Sequence, residues 1–407
     1  MGGYGLLGEK LGHSFSPRIH ALLGDTPYNL YEKRPNELEA FLLQGDLSGM
    51  NVTIPYKKTV MQYCAALTDV AQRIGSVNTL VRRADGSLLG DNTDYYGFDC
   101  LLQRAGFDPK GKKALVLGSG GASLTVQMVL RDRGAAQVVV ISRTGEDHYG
   151  NLEHHADADM IVNTTPVGMY PKNGKSPVDL RLFPRCSAVV DVVYNPARTA
   201  LMLQAEDLGI PCAGGLAMLV AQAVRSAERF LGRDFADGIL ERVLHQLQAD
   251  TENIILIGMP GCGKSALGRA LAEKLGKPFV DADQEIIRQA GKSIPDIFAQ
   301  EGEVGFRKRE TEVLRKLGSM SGQVIATGGG CVTRPENKDL LRQNGKLIWV
   351  QRPVSVLPTQ GRPLSQRGNL EDMAKARMPL YADFADEIID NSGTRAAALE
   401  QLMEVCL

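Results

Sequence analysis

The sequence predicts an α/β protein of parallel sheets in which two separate nucleotide loops follow one another along the chain. Three observations carry that expectation. The first is the octapeptide Gly258-Met259-Pro260-Gly261-Cys262-Gly263-Lys264-Ser265, which reads G-x-x-x-x-G-K-S. It stands between a short apolar run, Ile254-Ile255-Leu256-Ile257, and a helical pattern over 266–272, the strand–loop–helix setting such a loop requires. Its glycines let the backbone curl until successive N–H groups face phosphate oxygens, and the helix N-terminus adds a favourable field. The second is a strand–loop–helix–strand unit from Ala114 to Ile141 that turns on Gly118-Ser119-Gly120-Gly121-Ala122. The third is the recurrence of short apolar runs at 160–162 and 188–190, the pattern of strands buried on both faces of a parallel sheet.

Composition narrows the partners. At 407 residues the chain is long enough for two or three cores, and its 43% apolar and 23% charged residues are ordinary for a globular protein. A formal net charge of -1 leaves no broad basic surface for nucleic acid or anionic lipid, so small molecules are the expected partners. Cysteines 64, 100, 186, 212, 262, 331 and 406 are odd in number and scattered, without a C-x-x-C pair. That usage fits a cytoplasmic protein rather than a disulfide frame or a zinc site. The N-terminus lacks a signal pattern, no apolar stretch approaches membrane-spanning length, and Leu6 stands where a myristoylation signal needs Ser or Thr.

Along the chain, strand-like pieces at 49–54 and 77–81 alternate with helical ones up to about residue 92. One helix is expected to start at Ser16-Pro17, with the serine as side-chain N-cap and the proline at N1. From Lys112 the pattern becomes strand 114–117, the glycine loop, helix 123–132 and strand 138–141, with further parallel strands at 160–162 and 188–191. Helices are expected at 216–231 and 235–248. The second aligns Phe235, Ile239, Leu240, Val243, Leu244 and Leu247 on one face. The polar stretch 248–252 marks a boundary, giving domains 1–92, 93–249 and 250–407.

The glycine loop at 118–122 alone is compatible with a nucleotide site and with an ordinary turn. The next strand end says more. Where an NAD site places an acid for the ribose 2′-OH, this chain has Ser142-Arg143-Thr144, and an arginine suits a 2′-phosphate. NADP is the expected cofactor. The flanking segments then resemble shikimate dehydrogenase through nearly all of residues 3–247. They include His13-Ser14-Phe15-Ser16-Pro17, Asn51-Val52-Thr53-Ile54-Pro55-Tyr56-Lys57, Ser76-Val77-Asn78-Thr79 and Gly90-Asp91-Asn92-Thr93-Asp94. Later come Asn163-Thr164-Thr165-Pro166-Val167-Gly168-Met169, Asp191-Val192-Val193-Tyr194-Asn195-Pro196 and Gly214-Gly215-Leu216-Ala217-Met218-Leu219-Val220-Ala221-Gln222.

The resemblance implies a substrate-binding α/β domain followed by a Rossmann-like NADP domain. It implies that Lys57 and Asp94 form the catalytic pair and that Ser14 and Ser16 take the substrate carboxylate. Thr53, Asn78, Asp94, Tyr194 and Gln222 would surround its hydroxyls and ring. NADP would lie on Gly118, Ser119, Gly120, Gly121 and Ala122, with Ser142, Arg143, Thr144 and Gly215. Reducing a ketone needs hydride on carbon and a proton on the developing alkoxide, and a lysine beside a carboxylate supplies the proton without a metal. Outside those motifs Lys57-Lys58 reads as a solvated helix start and Asp94 as a helix N-cap. His13 and His20 read as structural, and His154-His155 as a wet surface pair. Two features depart from the family. Asp147 stands where a second basic residue is usual, a charge of the wrong sign for a 2′-phosphate, and the stretch 144–159 is shorter than the usual helix and connection.

The second half resembles shikimate kinase across about 252–407, which implies a P-loop α/β/α domain. The matching stretches are the P-loop, Phe279-Val280-Asp281-Ala282-Asp283, Gly302-Glu303-Val304-Gly305-Phe306-Arg307, Ala326-Thr327-Gly328-Gly329-Gly330, Gly361-Arg362-Pro363-Leu364 and Arg377-Met378-Pro379-Leu380-Tyr381. ATP would be cradled by Gly261, Cys262, Gly263, Lys264, Ser265 and Ala266, with Mg²⁺ on Ser265 and, through water, Asp281. By the resemblance, Asp283 holds the accepting hydroxyl and is the candidate base. Arg307 and Arg377 clamp the acceptor's carboxylate, Gly329 offers it a backbone N–H, and Arg362 on a lid stabilises the transferring phosphoryl group. Without that resemblance, Arg307-Lys308-Arg309-Glu310 is a solvated helix face and Gly328–Gly330 a loop. Pro358-Thr359 replaces the family's Arg-Thr pair and the lid is short, implying weaker ATP affinity or a different hold on adenine. Cys262 reads as a small packing residue.

Together these resemblances imply consecutive reactions, 3-dehydroshikimate to shikimate and shikimate to shikimate 3-phosphate, with NADP, ATP and Mg²⁺. Two other readings stay open: a kinase-like half that only senses ATP or shikimate, and quinate or another hydroxy acid as substrate.

Overall fold

The computed structural model describes residues 3–12, 14–24, 27–357 and 370–406. The chain divides into two compact units, Met1–Met169 with Lys175–Leu247, and Tyr170–Gly174 with Gln248–Leu407.

The first unit opens with a six-stranded mixed sheet of β1 (Gly3–Gly8), β2 (Tyr28–Glu32), β3 (Leu47–Val52), β4 (Ala66–Leu67), β5 (Thr79–Arg82) and β6 (Leu88–Asp91). The strand order is β2-β1-β3-β5-β6-β4, and β5 runs antiparallel to both of its neighbours. Helices α1 (Ser16–Leu23), α2 (Leu38–Gln44) and α3 (Asp69–Ile74) belong to this layer, and α4 (Thr93–Arg104) leads out of it. The start of α1 differs from expectation. Phe15 is the N-cap and makes no side-chain cap, so Ser16 is the first helical residue with proline behind it. Ser14 does the local work, its Oγ accepting the Ser16 N–H at 3.2 Å.

A five-stranded sheet follows, all parallel, built from β7 (Lys113–Leu117), β8 (Gln137–Ile141), β9 (Met160–Asn163), β10 (Ala188–Asp191) and β11 (Cys212–Gly214) in the order β11-β10-β9-β7-β8. Leu115, Val116, Ile161, Val162, Val189 and Val190 are fully buried, the double-sided burial that an apolar run anticipates. Helix α5 (Gly121–Asp132) crosses from β7 to β8, and α6 (Ala200–Asp207) links β10 to β11. Between β8 and β9 the described residues form only a 3₁₀ turn, Leu152–His155, so the short connection has no room for a crossover helix. Helices α7 (Leu216–Leu231) and α8 (Ile239–Thr251) close the unit. The apolar face of α8, with Val243, Leu244 and Leu247 buried, packs on Val220, Ala223 and Val224 of α7 and on Ile19 of α1. Helices α4 and α7 approach so closely that a Cβ on Gly97 would lie 2.6 Å from the Met218 carbonyl oxygen.

The second unit is a parallel five-stranded sheet of β12 (Asn253–Ile257), β13 (Phe279–Asp281), β14 (Val324–Ala326), β15 (Gly345–Gln351) and β16 (Glu387–Asp390), ordered β13-β14-β12-β15-β16. The central strand β12 is buried along its whole length. The helices are α9 (Lys264–Leu275), α10 (Ala282–Ala290), α11 (Ile294–Ser319), α12 (Glu336–Arg342), α13 (Leu370–Phe384) and α14 (Arg395–Cys406). Gly302, at φ 67° and ψ −174°, breaks α11 into two helical pieces. No helix among the described residues is long and apolar enough to cross a membrane.

Candidate active sites

In the first unit, β3 runs into a turn that carries Lys57. The Lys57 carbonyl accepts the Val77 N–H at 2.8 Å, and the buried Tyr56 donates its hydroxyl to the Lys33 carbonyl at 2.5 Å, so the turn is tied on both sides. Asp94 lies in the first turn of α4. That turn is capped from another segment. Asn78 Oδ1 accepts the Thr93 N–H at 2.7 Å, while Asn92 at the N-cap position makes no side-chain cap. The result is direct contact: Lys57 Nζ stands 2.5 Å from Asp94 Oδ2, with side chains 20% and 13% exposed. Asp94 is therefore neither a solvated charge nor a cap.

The other expected substrate residues fall on elements around this pair. Asn78 Oδ1 also accepts from the Thr79 and Thr93 hydroxyls at 3.0 and 3.2 Å, which leaves its N–H₂ as the end able to face a ligand. Gln222 on α7 has its Cβ 3.0 Å from where Gly97 would carry one, one turn beyond Asp94. Thr53 directly follows β3, its N–H donating to the Leu7 carbonyl at 2.9 Å. Ser14 and buried Ser16 flank Phe15, whose ring lies 5.3 Å from that of Tyr194. Burial pushes the Tyr194 hydroxyl above its usual range, keeping it a neutral donor.

Behind this shell is a buried polar cluster that sequence reasoning missed. Asn51 Nδ2 donates to Ser226 Oγ at 2.8 Å and to Thr79 Oγ1 at 3.2 Å, Thr93 and Ser226 hydroxyls meet at 2.8 Å, and Tyr28 donates to Asn51 Oδ1 at 2.8 Å. The available signal is Ser226, a hydroxyl among Val220, Ala223, Val224 and Ala227 on the buried stripe of α7. His20 stacks on Tyr28 with centroids 3.8 Å apart, and burial lowers it to about 3. It is a neutral structural ring.

In the second unit the G-x-x-x-x-G-K-S loop joins β12 to α9, with Gly258, Gly261 and Gly263 at φ 140°, 85° and 107°. Lys264 is buried and donates to the Gly258 and Met259 carbonyls at 2.8 and 3.0 Å, so its ammonium is held over the loop. Asn391 braces the loop by donating to the Cys262 carbonyl at 2.6 Å. Buried Cys262 is a packing residue at that point. Ser265 Oγ donates to Asp281 Oδ2 at 2.7 Å, while Asp281 Oδ1 caps α10 by accepting the Asp283 N–H at 3.1 Å. Burial and the neighbouring Asp281 carboxylate push Asp283 above the usual carboxylate range, with Lys264 and Arg307 pulling the other way.

Arg307 overturns the reading of a solvated helix face. It is buried and donates to Glu310 Oε2 at 2.6 Å and Glu303 Oε1 at 3.2 Å, and Glu310 is fully buried. Only Lys308 of that run is exposed. The Gly329 carbonyl accepts from Arg377 Nη1 at 3.1 Å and also from the Tyr381 hydroxyl. A Cβ on Gly330 would lie 2.1 Å from Arg307 Nη2, so the guanidinium packs directly against the bare backbone there. One cavity of about 580 Å³ is lined by Lys264, Ser265, Asp283, Arg307, Gly329 and Arg377, joining the phosphate loop to the acceptor-side residues. Ala266 lines it too. Arg362 lies outside the described residues, as do His13 and the Pro358-Thr359 pair.

Comparison with known proteins agrees with this layout. The family model described as shikimate kinase matches residues 260–407, and that for the shikimate dehydrogenase substrate binding domain matches residues 6–80. The shikimate dehydrogenase (NADP(+)) of Clostridium perfringens strain SM101 is 36% identical over 267 residues, covering 60% of this chain and 98% of that protein. The chain belongs to the shikimate dehydrogenase family. It carries a shikimate kinase domain behind that part, and so joins two enzymes in one polypeptide. Among solved structures, a chorismate mutase/shikimate 5-dehydrogenase fusion protein from Clostridium acetobutylicum matches with TM-score 0.58 and 36% identity, over 61% of this chain and 97% of that one. Shikimate 5-dehydrogenase from Thermus thermophilus, in complex with NADP(H) and shikimate, matches with TM-score 0.55 and 31% identity, over 60% and 99%.

The dehydrogenase part has a nucleotide loop whose geometry fits a dinucleotide. Gly118, at φ 102°, lets the chain turn where a Cβ would meet Thr165 Cγ2 at 2.8 Å. Ser119, Gly120 and Gly121 are exposed, nothing crowds the two glycines within 4 Å, and α5 starts there without a side-chain cap, leaving N–H groups for a diphosphate. Ala122 lies in that first turn. Arg143 and Thr144 are exposed beyond β8, and the Ser142 hydroxyl donates to the Thr144 carbonyl. Gly215 is the N-cap of α7, where a Cβ would overlap the Val192 carbonyl.

His155 corrects the expected surface pair. His154 is exposed, but His155 is buried and its Nε2 lies 2.8 Å from Asp147 Oδ1. Asp191 is fully buried at the end of β10, a position to which the sequence alone assigns no role. It accepts from Asn163 Nδ2 and the Val193 N–H, both at 3.0 Å, and from Thr199 Oγ1 at 2.7 Å. Burial still pushes it up to about 6. No group of three or more His, Cys, Asp or Glu residues able to hold a metal occurs among the described residues. The Ser265 hydroxyl and Asp281 carboxylate beside the phosphate loop suit Mg²⁺ bound chiefly by phosphate oxygens.

Proposed function

We propose that the chain catalyses two consecutive steps: NADPH-dependent reduction of 3-dehydroshikimate to shikimate, then phosphorylation of the shikimate 3-hydroxyl by Mg·ATP. The domains that carry them are 1–92 and 93–249 for the reduction and 250–407 for the phosphoryl transfer, in a cytoplasmic protein with small-molecule partners. The observation that carries this reading is the contact of Lys57 with Asp94 in one unit, set against a single cavity shared by Lys264, Asp283, Arg307 and Arg377 in the other.

NADPH, when bound, supplies hydride to the carbonyl carbon. Lys57, as the ammonium ion, donates a proton to the carbonyl oxygen as negative charge develops there, and Asp94 holds the ammonium in place. Asn78, its oxygen already committed to Thr79 and Thr93, donates to a ring hydroxyl. Ser14 and Ser16 hold the carboxylate, with Thr53, Tyr194 and Gln222 around the ring. Gly118–Ala122, Ser142, Arg143, Thr144 and Gly215 hold the dinucleotide.

Mg·ATP, when bound, supplies the phosphoryl group. Gly261–Ala266 receive the phosphates, and Lys264 exchanges its loop carbonyls for phosphate oxygens. Ser265 and Asp281 hold the Mg²⁺ side. Asp283 accepts the hydrogen of the attacking hydroxyl, a role suited to a carboxylate raised above its usual range. Arg307 and Arg377 take the acceptor's carboxylate with the Gly329 N–H, and Arg362 is assigned to the transferring group.

The test is one assay with 3-dehydroshikimate, NADPH and Mg·ATP. Shikimate 3-phosphate should accumulate with stoichiometric NADP⁺ and ADP. A kinase half that only senses ligands gives NADP⁺ without shikimate-dependent ADP, and quinate specificity shows as faster oxidation of quinate than of shikimate.

A further inference from the structure

We propose that Asp147 and His155 form a cofactor-selectivity device: His155 draws the Asp147 carboxylate toward the protein interior so that the neighbouring site admits a 2′-phosphate. The inference rests on the reading of the 118–144 region as the NADP site.

Three observations place the pair. Asp147 lies beside the end of β8, where a doubly wound nucleotide fold receives the adenosine ribose, because the Ser142 N–H donates to its backbone carbonyl at 3.3 Å. Arg143, the cation suited to a 2′-phosphate, is exposed on the same short loop. The Asp147 side chain, 37% exposed, is anchored through Oδ1 to Nε2 of His155, a ring only 9% exposed. A free carboxylate at this strand end is the arrangement that accepts hydrogen bonds from an unphosphorylated ribose and repels a phosphate there. The loop is short enough to make this possible. A 3₁₀ turn, Leu152–His155, replaces the helix between β8 and β9 and brings His155 back under the loop. His148 and Asn151 hold the loop itself, the His148 N–H donating to Asn151 Oδ1 at 2.8 Å, so Asp147 can lose its partner without the loop losing its shape.

The chain thus carries two opposed selectivity elements, Arg143 for the phosphate and Asp147 for the bare ribose, and the histidine decides between them. Calorimetric titration of NADP⁺ and NAD⁺ into the full chain, without substrate, reads the device directly. His155→Leu should weaken NADP⁺ about tenfold and leave NAD⁺ equal or tighter, since a released carboxylate faces a dianionic phosphate. Adding Asp147→Asn should return NADP⁺ affinity to within about threefold of the starting protein, a rescue that general damage to the fold does not produce. Should His155→Leu fold and keep the ratio of the two dissociation constants within twofold, or should the double variant fail to recover, the inference is wrong. If His155→Leu does not fold, His155→Phe, which keeps a ring without the Nε2 partner, decides: a shift of more than twofold toward NAD⁺ supports it and a ratio within twofold overturns it. A starting protein that binds neither dinucleotide defeats the cofactor reading itself. One that binds NADP⁺ with unresponsive variants defeats only the selectivity device.

Discussion

In the dehydrogenase half the carboxylate proposed for the site is committed to a cation, Asp94 lying 2.5 Å from Lys57 with both groups still reachable from solvent. In the kinase half Asp283 stands beside another carboxylate, and burial and that neighbour raise it above its usual range. Under the proposed roles, the difference follows from what each group would do. A proton donor to an alkoxide has to be aimed at it, which an ion pair achieves. A base for a hydroxyl has to hold a proton briefly, which a desolvated carboxylate near like charge achieves.

The largest effect expected from this contrast is on the ion pair. Lys57→Ala should lower dehydrogenase turnover on the order of 10⁴-fold while NADP⁺ binding and kinase turnover stay unchanged. Reduction at near the starting rate would remove Lys57 from the chemistry. Next is Asp283→Asn, which should lower kinase turnover about 10³-fold with ATP still bound. In the unaltered protein the same group predicts a kinase rate that climbs with pH through a carboxylate pKa above the ordinary range, and a flat profile there would contradict the role of burial.

Smaller, and confined to acceptor binding, is Gly330→Ala. Its Cβ would fall 2.1 Å from Arg307 Nη2, so the shikimate KM of the kinase should rise about tenfold while the ATP KM holds. A KM within twofold would show that Arg307 can move aside. The last effect concerns stability rather than turnover. Asp191, raised to about 6 in the fold, favours folding while protonated, so its contribution is fully present below about pH 4 and lost as pH rises through 6. Across that window it should cost about 3 kcal/mol, and Asp191→Asn should flatten the slope in denaturant titrations. An unaltered slope would assign the pH dependence to other groups.

Much of this is legible in the sequence itself. The parallel strands, both glycine loops and the P-loop helix lie where apolar runs and glycine spacing place them, because strands buried on both faces leave a continuous apolar trace. Legibility failed where a polar group is buried by contacts from distant segments. Ser226 reaches Asn51, Thr79 and Thr93 only after α7 packs on the substrate sheet. His155 reads as surface beside His154 because adjacent residues on a 3₁₀ turn point in different directions. Arg307 and Lys308 diverge for the same kind of reason, one turned into the cavity and the other to solvent.

By itself the sequence determined the order of the elements, the phosphate loop and the residue types each site requires, since these depend on local periodicity and on glycines that permit particular backbone angles. Only the tertiary structure decided that Arg307 meets Glu310 and Asp147 meets His155, and only it gave the Lys57–Asp94 pair implied by the resemblance its direct contact. Electrostatic contacts act over a few ångströms and depend on burial, so packing between segments far apart in the chain sets both their partners and their strength.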